Sequence, residues 1–158
     1  AEPECEVFPV RMAFNLLPQV GQALATGETD WEAHCRADLR TRLGQPDLRV
    51  QVSAAWAPVF YGCAIVVHAV AGAPLTRARL SGWLAAQDEV TVMDEAMPGG
   101  APTPYTEAQE SEGIFVGRVR VENDHADRFA LWLVCDAMRL EAAQIVDRLE
   151  NMIEKKAK

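Results

Sequence analysis

The segment Ile114-Phe115-Val116-Gly117-Arg118-Val119-Arg120-Val121-Glu122 sets Phe115, Gly117, Val119 and Val121 against Val116, Arg118 and Arg120. That period of two predicts a half-buried strand. A second apolar run, Phe129-Ala130-Leu131-Trp132-Leu133-Val134, follows after the polar stretch Asn123 to Arg128, which has the composition of a hairpin connection. Two strands joined by so short a link pair antiparallel, because a parallel pair needs a crossover of about a dozen residues or more. The hairpin is the frame on which the neighbouring segments are placed.

Toward the C-terminus, Met138, Ala142, Ile145, Leu149 and Met152 recur at alternating four- and three-residue steps. They predict a helix from about Ala137 to Ile153 packed on the domain's own sheet, since two heptads are too few for a coiled coil. Toward the N-terminus, Met97 to Tyr105 carries Pro98, Gly99, Gly100, Pro102 and Pro104 and reads as a loop without helix or strand potential. Val90 to Met93 is a short strand, and Pro74-Leu75-Thr76 opens a helix whose Leu80, Trp83 and Leu84 share a face. Val59 to Val70 is rich in Val, Ile and aromatic residues without alternation, as expected of a strand covered on both faces. Asp47 to Ala55 alternates Leu48, Val50 and Val52 against Arg49, Gln51 and Ser53, which predicts a further half-buried strand. Thr29-Asp30-Trp31-Glu32 has the form of a capping box, and Trp31, Cys35, Leu39 and Leu43 recur every fourth position before Gly44. The spacing predicts a helix from about Trp31 to Leu43. Strands in hairpin order, with helices between and after, define an α+β fold with a mixed, largely antiparallel sheet and helices packed on one face. The whole span 1–158 reads as a single domain.

At 158 residues the chain is long enough to bury roughly 68–70% of its unfolded surface. Its 49% hydrophobic and 24% charged shares are those of an ordinary globule. The net charge of −8 repels a phosphate backbone, and no basic patch precedes the closing Lys155-Lys156-Ala157-Lys158, so nucleic acid is not an expected partner. No apolar run reaches the ~18 residues of a membrane span, and no basic segment leads into an apolar one at the start. A cytoplasmic location and no membrane contact are expected. Cys5, Cys35, Cys63 and Cys135 form no Cys-x-x-Cys pair, so no metal site is expected and the thiols read as small buried hydrophobes. No Gly-x-Gly-x-x-Gly loop occurs, so a dinucleotide-binding domain is absent from this chain.

Five segments fall in an order that carries further meaning. Met12-Ala13-Phe14-Asn15-Leu16-Leu17-Pro18 resembles an Ala-Phe-Asn-x-x-Pro strand, and Trp56-Ala57-Pro58-Val59-Phe60-Tyr61-Gly62-Cys63 resembles Arg-Val-Pro-Val-x-x-Gly-His. Pro102-Thr103-Pro104 is similar to a Pro-Thr-Pro loop, and Val116-Gly117-Arg118-Val119-Arg120 to a Val-Gly-Arg-x-Arg strand. Leu131-Trp132-Leu133-Val134-Cys135-Asp136, with Met138-Arg139 and Ala142-Ala143, resembles Leu-Trp-x-Val-x-Asp-Asn-Leu-Arg-x-Gly-Ala-Ala. Together they resemble the C-terminal catalytic and dimerisation domain of the aspartate-semialdehyde dehydrogenases. The resemblance implies a glyceraldehyde-3-phosphate dehydrogenase-like C-terminal domain that forms a homodimer through its sheet. For the complete family it implies an N-terminal NADP-binding domain and reductive dephosphorylation of aspartyl phosphate in amino-acid biosynthesis.

The departures fall on the functional positions. Trp56 stands where the resemblance places a carboxylate-binding arginine, and an indole with one N–H cannot reproduce a guanidinium fork. Cys63 stands where it places the acid/base histidine, and Trp31 and His34 stand where it places a Glu-x-x-Lys substrate contact, with Glu32 one residue out of register. The family's nucleophilic cysteine lies in the missing first half, so none of the four cysteines is its equivalent. Preserved frame and lost site resemble the family's non-catalytic USG-1-type paralogues.

Each position also has a plainer reading. Cys63 could be a nucleophile activated by His34, or an inert thiol filling the space of an imidazole; His68, five residues along a strand, points to the opposite face. His34 could be an exposed helical histidine, Arg118, Arg120 and Arg139 solubilising or ion-pair residues, and Trp56, Trp83 and Trp132 core or interface aromatics. The expected function is a dimerisation domain without catalytic residues of its own and with no cofactor in this chain. Alternatives are the catalytic domain of a working NADP-dependent enzyme, or a binding module whose Trp56-lined cleft takes an apolar small molecule.

Overall fold

The computed structural model describes residues 7–156, with side chains of the last helix described through Val146. Cys5 and the end of the closing lysine run lie outside them. The described residues divide into two units, Ala1–Pro58 and Val59–Lys158, and each is taken by itself.

In the first unit, α1 spans Asp30–Arg42. The capping box forms as expected: Thr29 Oγ1 accepts from the Glu32 amide at 3.2 Å, and Glu32 Oε2 accepts from the Thr29 amide at 2.8 Å. Gly44, at φ +63°, turns the chain out of the helix. The expected apolar face is open: Trp31, Leu39 and Leu43 are exposed, and the buried side chain of the helix is Glu32. Its second carboxylate oxygen accepts the Ala54 amide at 2.8 Å, and Arg40 Nε donates to the Leu48 carbonyl at 2.9 Å. These bonds explain a second correction. Asp47 to Ala55 is no strand: two of its backbone groups are taken by side chains of α1, and just past it Trp56 closes an isolated bridge with Leu17. Alternation specifies two faces but supplies no partner.

The second unit is built on a four-stranded sheet of order β1-β4-β3-β2, with β1 Cys63–Val70, β2 Val90–Val92, β3 Ile114–Val121 and β4 Arg128–Cys135. The β1/β4 and β4/β3 pairs are antiparallel and β2/β3 is parallel, the mixed sheet the hairpin foretold. Helix α2, Arg77–Ala85, starts from the N-cap Thr76 and lays Leu80 on Val116, Val119 and Leu131, the buried centre of the core. The opposite face is covered in part by a π-helical turn, Pro104–Ala108, which extends into the segment expected to be plain loop. Thr103 caps that turn and Pro104 occupies its first position, where a missing N–H costs nothing.

Val116 and Val119 share the core although strict alternation puts them on opposite faces. The cause is a bulge. Gly117 pairs with Trp132 and Arg120 with Ala130, so Arg118 and Val119 together oppose Leu131 alone. Arg118 takes the left-handed conformation, φ +50°, and its exposed side chain leaves Val119 to turn inward.

Two expectations about cover are also corrected. β1 is an edge strand, not one buried on both faces: Ile65, Val66 and Val70 are exposed. Helix α3, Ala137–Lys156, carries its stripe into solvent at Met138, Ala142 and Ile145; the side chains of Leu149 and Met152 are outside those described. A periodic stripe fixes which side of a helix needs cover without saying what supplies it; here the elements packed on the sheet are α2 against β2 and β3 and the π-helical turn against β4.

Candidate functional site

The signature segment enters β1 through Gly62, whose φ of +74° and missing side chain are both used. A Cβ there would lie 3.1 Å from the Cys135 carbonyl oxygen and 3.3 Å from Ala108 Cβ. The next residue, Cys63, is the register partner of Cys135, the last residue of β4, and their Sγ atoms are 3.5 Å apart. Cys63 is partly exposed, Cys135 is buried, and both are free thiols. The hydrogen bond from the Cys135 thiol lowers Cys63 to about 7, against the opposing effect of burial. Cys135 is pushed far up as the donor in that bond, with burial and the neighbouring charges of Cys63 and Asp136 adding to it.

Asp136 follows directly and is itself buried; its Oδ1 accepts the Arg139 amide at 3.3 Å at the start of α3. Arg139 completes an ion pair with it at 3.8 Å, the structural role its position suggested. Cys63 is neither deeply buried nor served by His68. His68 lies on the other face of β1 and is exposed, and the partner of Cys63 is another thiol. The pairing escaped the sequence reading because the cysteines lie 72 residues apart; only the β1/β4 register connects them.

Trp56 and His34 belong to the first unit and Cys63 to the second. Trp56 is 45% exposed, edge-on to Phe8 at 5.9 Å. His34 is exposed on α1, and Glu32 is committed to the capping box, whose amide bonds from Thr29 and Ala54 lower its pKa. Cys35, on the same helix, is shifted upward by burial and by Asp38 and Glu32. Trp132 anchors the Pro102 carbonyl through its Nε1 at 2.7 Å, and Trp83 lies half exposed beneath Arg79, 4.5 Å from its ring centre. Arg118 and Arg120 are exposed on β3. Among the described residues, no three His, Cys, Asp or Glu side chains are grouped to hold a metal ion.

A second polar constellation, unseen in the sequence, holds the bulge. Asp94 accepts the Arg118 amide at 2.7 Å on Oδ1, and the Val119 amide at 3.0 Å and Arg77 Nη2 at 2.8 Å on Oδ2. Arg77 Nε also donates to the Val119 carbonyl at 3.0 Å.

A mixed, mostly antiparallel sheet with a helix on one face is the α+β architecture that the landmark segments implied. A family model described as the semialdehyde dehydrogenase dimerisation domain matches residues 1–140, and the chain belongs to that family. It is 30% identical over 150 residues to an aspartate-semialdehyde dehydrogenase of Legionella pneumophila, covering 95% of this chain and 43% of that one. A USG-1 protein homolog of Azotobacter vinelandii is 29% identical, with 93% and 44% covered. Among solved structures, aspartate semialdehyde dehydrogenase II of Vibrio cholerae superposes with a TM-score of 0.85 at 28% identity, over 94% of this chain and 44% of that one. The chain thus spans less than half the length of these relatives.

Proposed function

We propose that this dimerisation domain associates as a homodimer and does not catalyse the family's reaction as it stands. The observation that carries the first part is β1. Its sequence Cys-Ala-Ile-Val-Val-His-Ala-Val holds no lysine or proline, and Ile65, Val66 and Val70 are 45%, 53% and 69% exposed. Lone edge strands are normally blunted by charge, proline or cover, and this one has an apolar surface that a second copy would bury. Light scattering over a range of concentrations should give the mass of a dimer. Val66→Lys should shift that mass to the monomer while the circular dichroism stays native; a wild-type chain monomeric at every concentration overturns the proposal.

The second part rests on Trp56 and Cys63. Replacing a carboxylate-binding fork and a histidine acid/base removes several kcal/mol of transition-state stabilisation, on the order expected for such groups. The same two positions support the USG-1-type assignment within the family. In this reading NADP is held by another part of the protein, a view supported by the connection between the parallel strands β2 and β3, which runs through a loop and a π-helical turn and not through a long helix opened by a phosphate-binding turn. In this reading 1–158 is one domain of a longer, cytoplasmic protein whose dinucleotide-binding part precedes it. Among the described residues no helix is long and apolar enough to cross a membrane.

One observation favours a working enzyme instead. The Cys63 sulfur lies 3.5 Å from that of Cys135, whose hydrogen bond lowers the Cys63 thiol toward neutral pH, where a group in the place of the histidine could exchange a proton. The full-length protein, assayed with aspartate semialdehyde, phosphate and NADP, decides between them: no turnover is expected, and turnover that Cys63→Ala abolishes establishes the second reading.

A further inference from the structure

We propose that Cys63 and Cys135 form a reversible two-electron thiol site, oxidised by low-molecular-weight disulfides to a cross-strand disulfide that fastens the start of β1 to the end of β4. The inference goes beyond association and catalysis and stands whichever reading of those holds. It rests first on register: Cys63 and Cys135 are direct partners in an antiparallel pair. Such partners have Cα atoms about 4.5–5.5 Å apart, inside the 4.4–6.8 Å range that a disulfide spans. Their sulfurs are already 3.5 Å apart, so closing to a bond of about 2.05 Å asks for side-chain rotation and no new backbone path.

The two thiols are also unequal in the way that exchange requires. Cys63 is partly exposed and Cys135 is buried behind it, so an incoming disulfide meets Cys63 first. The Cys63 thiolate attacks one sulfur of R–S–S–R, forming a mixed disulfide and releasing one thiolate, which takes a proton from solvent. Cys135 then loses its proton to solvent and attacks Cys63 Sγ, forming the protein disulfide and expelling the second thiolate. Two protein thiols have lost two electrons and two protons, and the reagent has become two thiols. The first step assists the second, because the hydrogen bond and the charge of Cys63 that hold Cys135 protonated vanish once Cys63 is capped. Cys35 on α1 has no such partner among the described cysteines and serves as the internal reference.

The test treats the native full chain with glutathione disulfide, alkylates the remaining thiols and maps the peptides. A Cys63–Cys135 link that dithiothreitol reverses is expected, with Cys35 still alkylated. In the reduced chain Cys63 should alkylate about tenfold faster than Cys35 at neutral pH. Cys135→Ser should halt the reaction at a glutathione adduct on Cys63. The proposal is overturned if both cysteines of the wild-type chain remain alkylatable, if a Cys63 adduct accumulates there without a link, or if Cys63 alkylates no faster than Cys35. Should Cys135→Ser fail to fold, the wild-type map alone decides.

Discussion

Gly117→Ala is expected to destabilise the protein by about 3 kcal/mol, as a lower midpoint of urea unfolding with an unchanged slope. Alanine in a strand is ordinarily neutral or favourable against glycine, because it reduces the freedom of the unfolded chain. Here space decides the sign. A Cβ at Gly117 would sit 2.6 Å from Pro102 Cδ and closer still to the Met93 carbonyl oxygen. Neither can withdraw easily: Met93 is tied by its amide to the Val116 carbonyl at 2.7 Å, and Pro102 is fully buried and held by Trp132 through its carbonyl. Gly82, inside α2, has nothing within 4 Å of an added Cβ, so Gly82→Ala should raise stability by about 0.5–1 kcal/mol. If both substitutions move the midpoint in the same direction, the close approach at Gly117 is not what sets its identity.

Asp94→Ala should cost about 1–3 kcal/mol at neutral pH, because it leaves two amides of the bulge without their acceptor and removes the ion pair with the half-exposed Arg77. Burial alone would raise the Asp94 pKa, but the Arg77 hydrogen bond, the Val119 and Arg118 amides and the Arg77 charge outweigh it and hold the group below the ordinary carboxylate range. A carboxylate whose folded pKa is depressed contributes stability that is present above its unfolded value and is lost as pH falls through the folded value. The gap between wild type and Asp94→Ala should therefore be full at neutral pH and close in acid below the ordinary carboxylate range. Urea titrations at neutral and strongly acidic pH check this, and a gap that stays constant between them would assign the cost to packing instead.

Local signals were legible in the sequence and non-local ones were not. The capping box at Thr29 and Glu32 and the β3–β4 hairpin were readable because the interacting residues are sequence neighbours. The helix over Trp31–Leu43 was found, but its stripe proved open, since periodicity describes a face without naming what covers it. Asp47–Ala55 failed as a strand for the same reason: Glu32 and Arg40 reached its backbone first. The bulge was invisible because the left-handed position is held by Arg118 and not by glycine, the usual marker. At the candidate site, Trp56 and Cys63 stood out by type, whereas the second thiol and the Asp94 cradle emerged only once distant strands were in register.

The extra residue at Arg118 also bears on how long this strand has to be. With Arg118 taken out, Gly117 and Val119 become neighbours. Val119 then meets Leu131 in an unbroken ladder, and Ile114, Val116, Val119 and Val121 still face α2 by simple alternation. Length changes are normally confined to loops, since a slip of one residue turns a strand inside out. β3 holds one position where the chain can shorten without inverting its faces, and such a shortening would take away one of the partners of Asp94, the Arg118 amide.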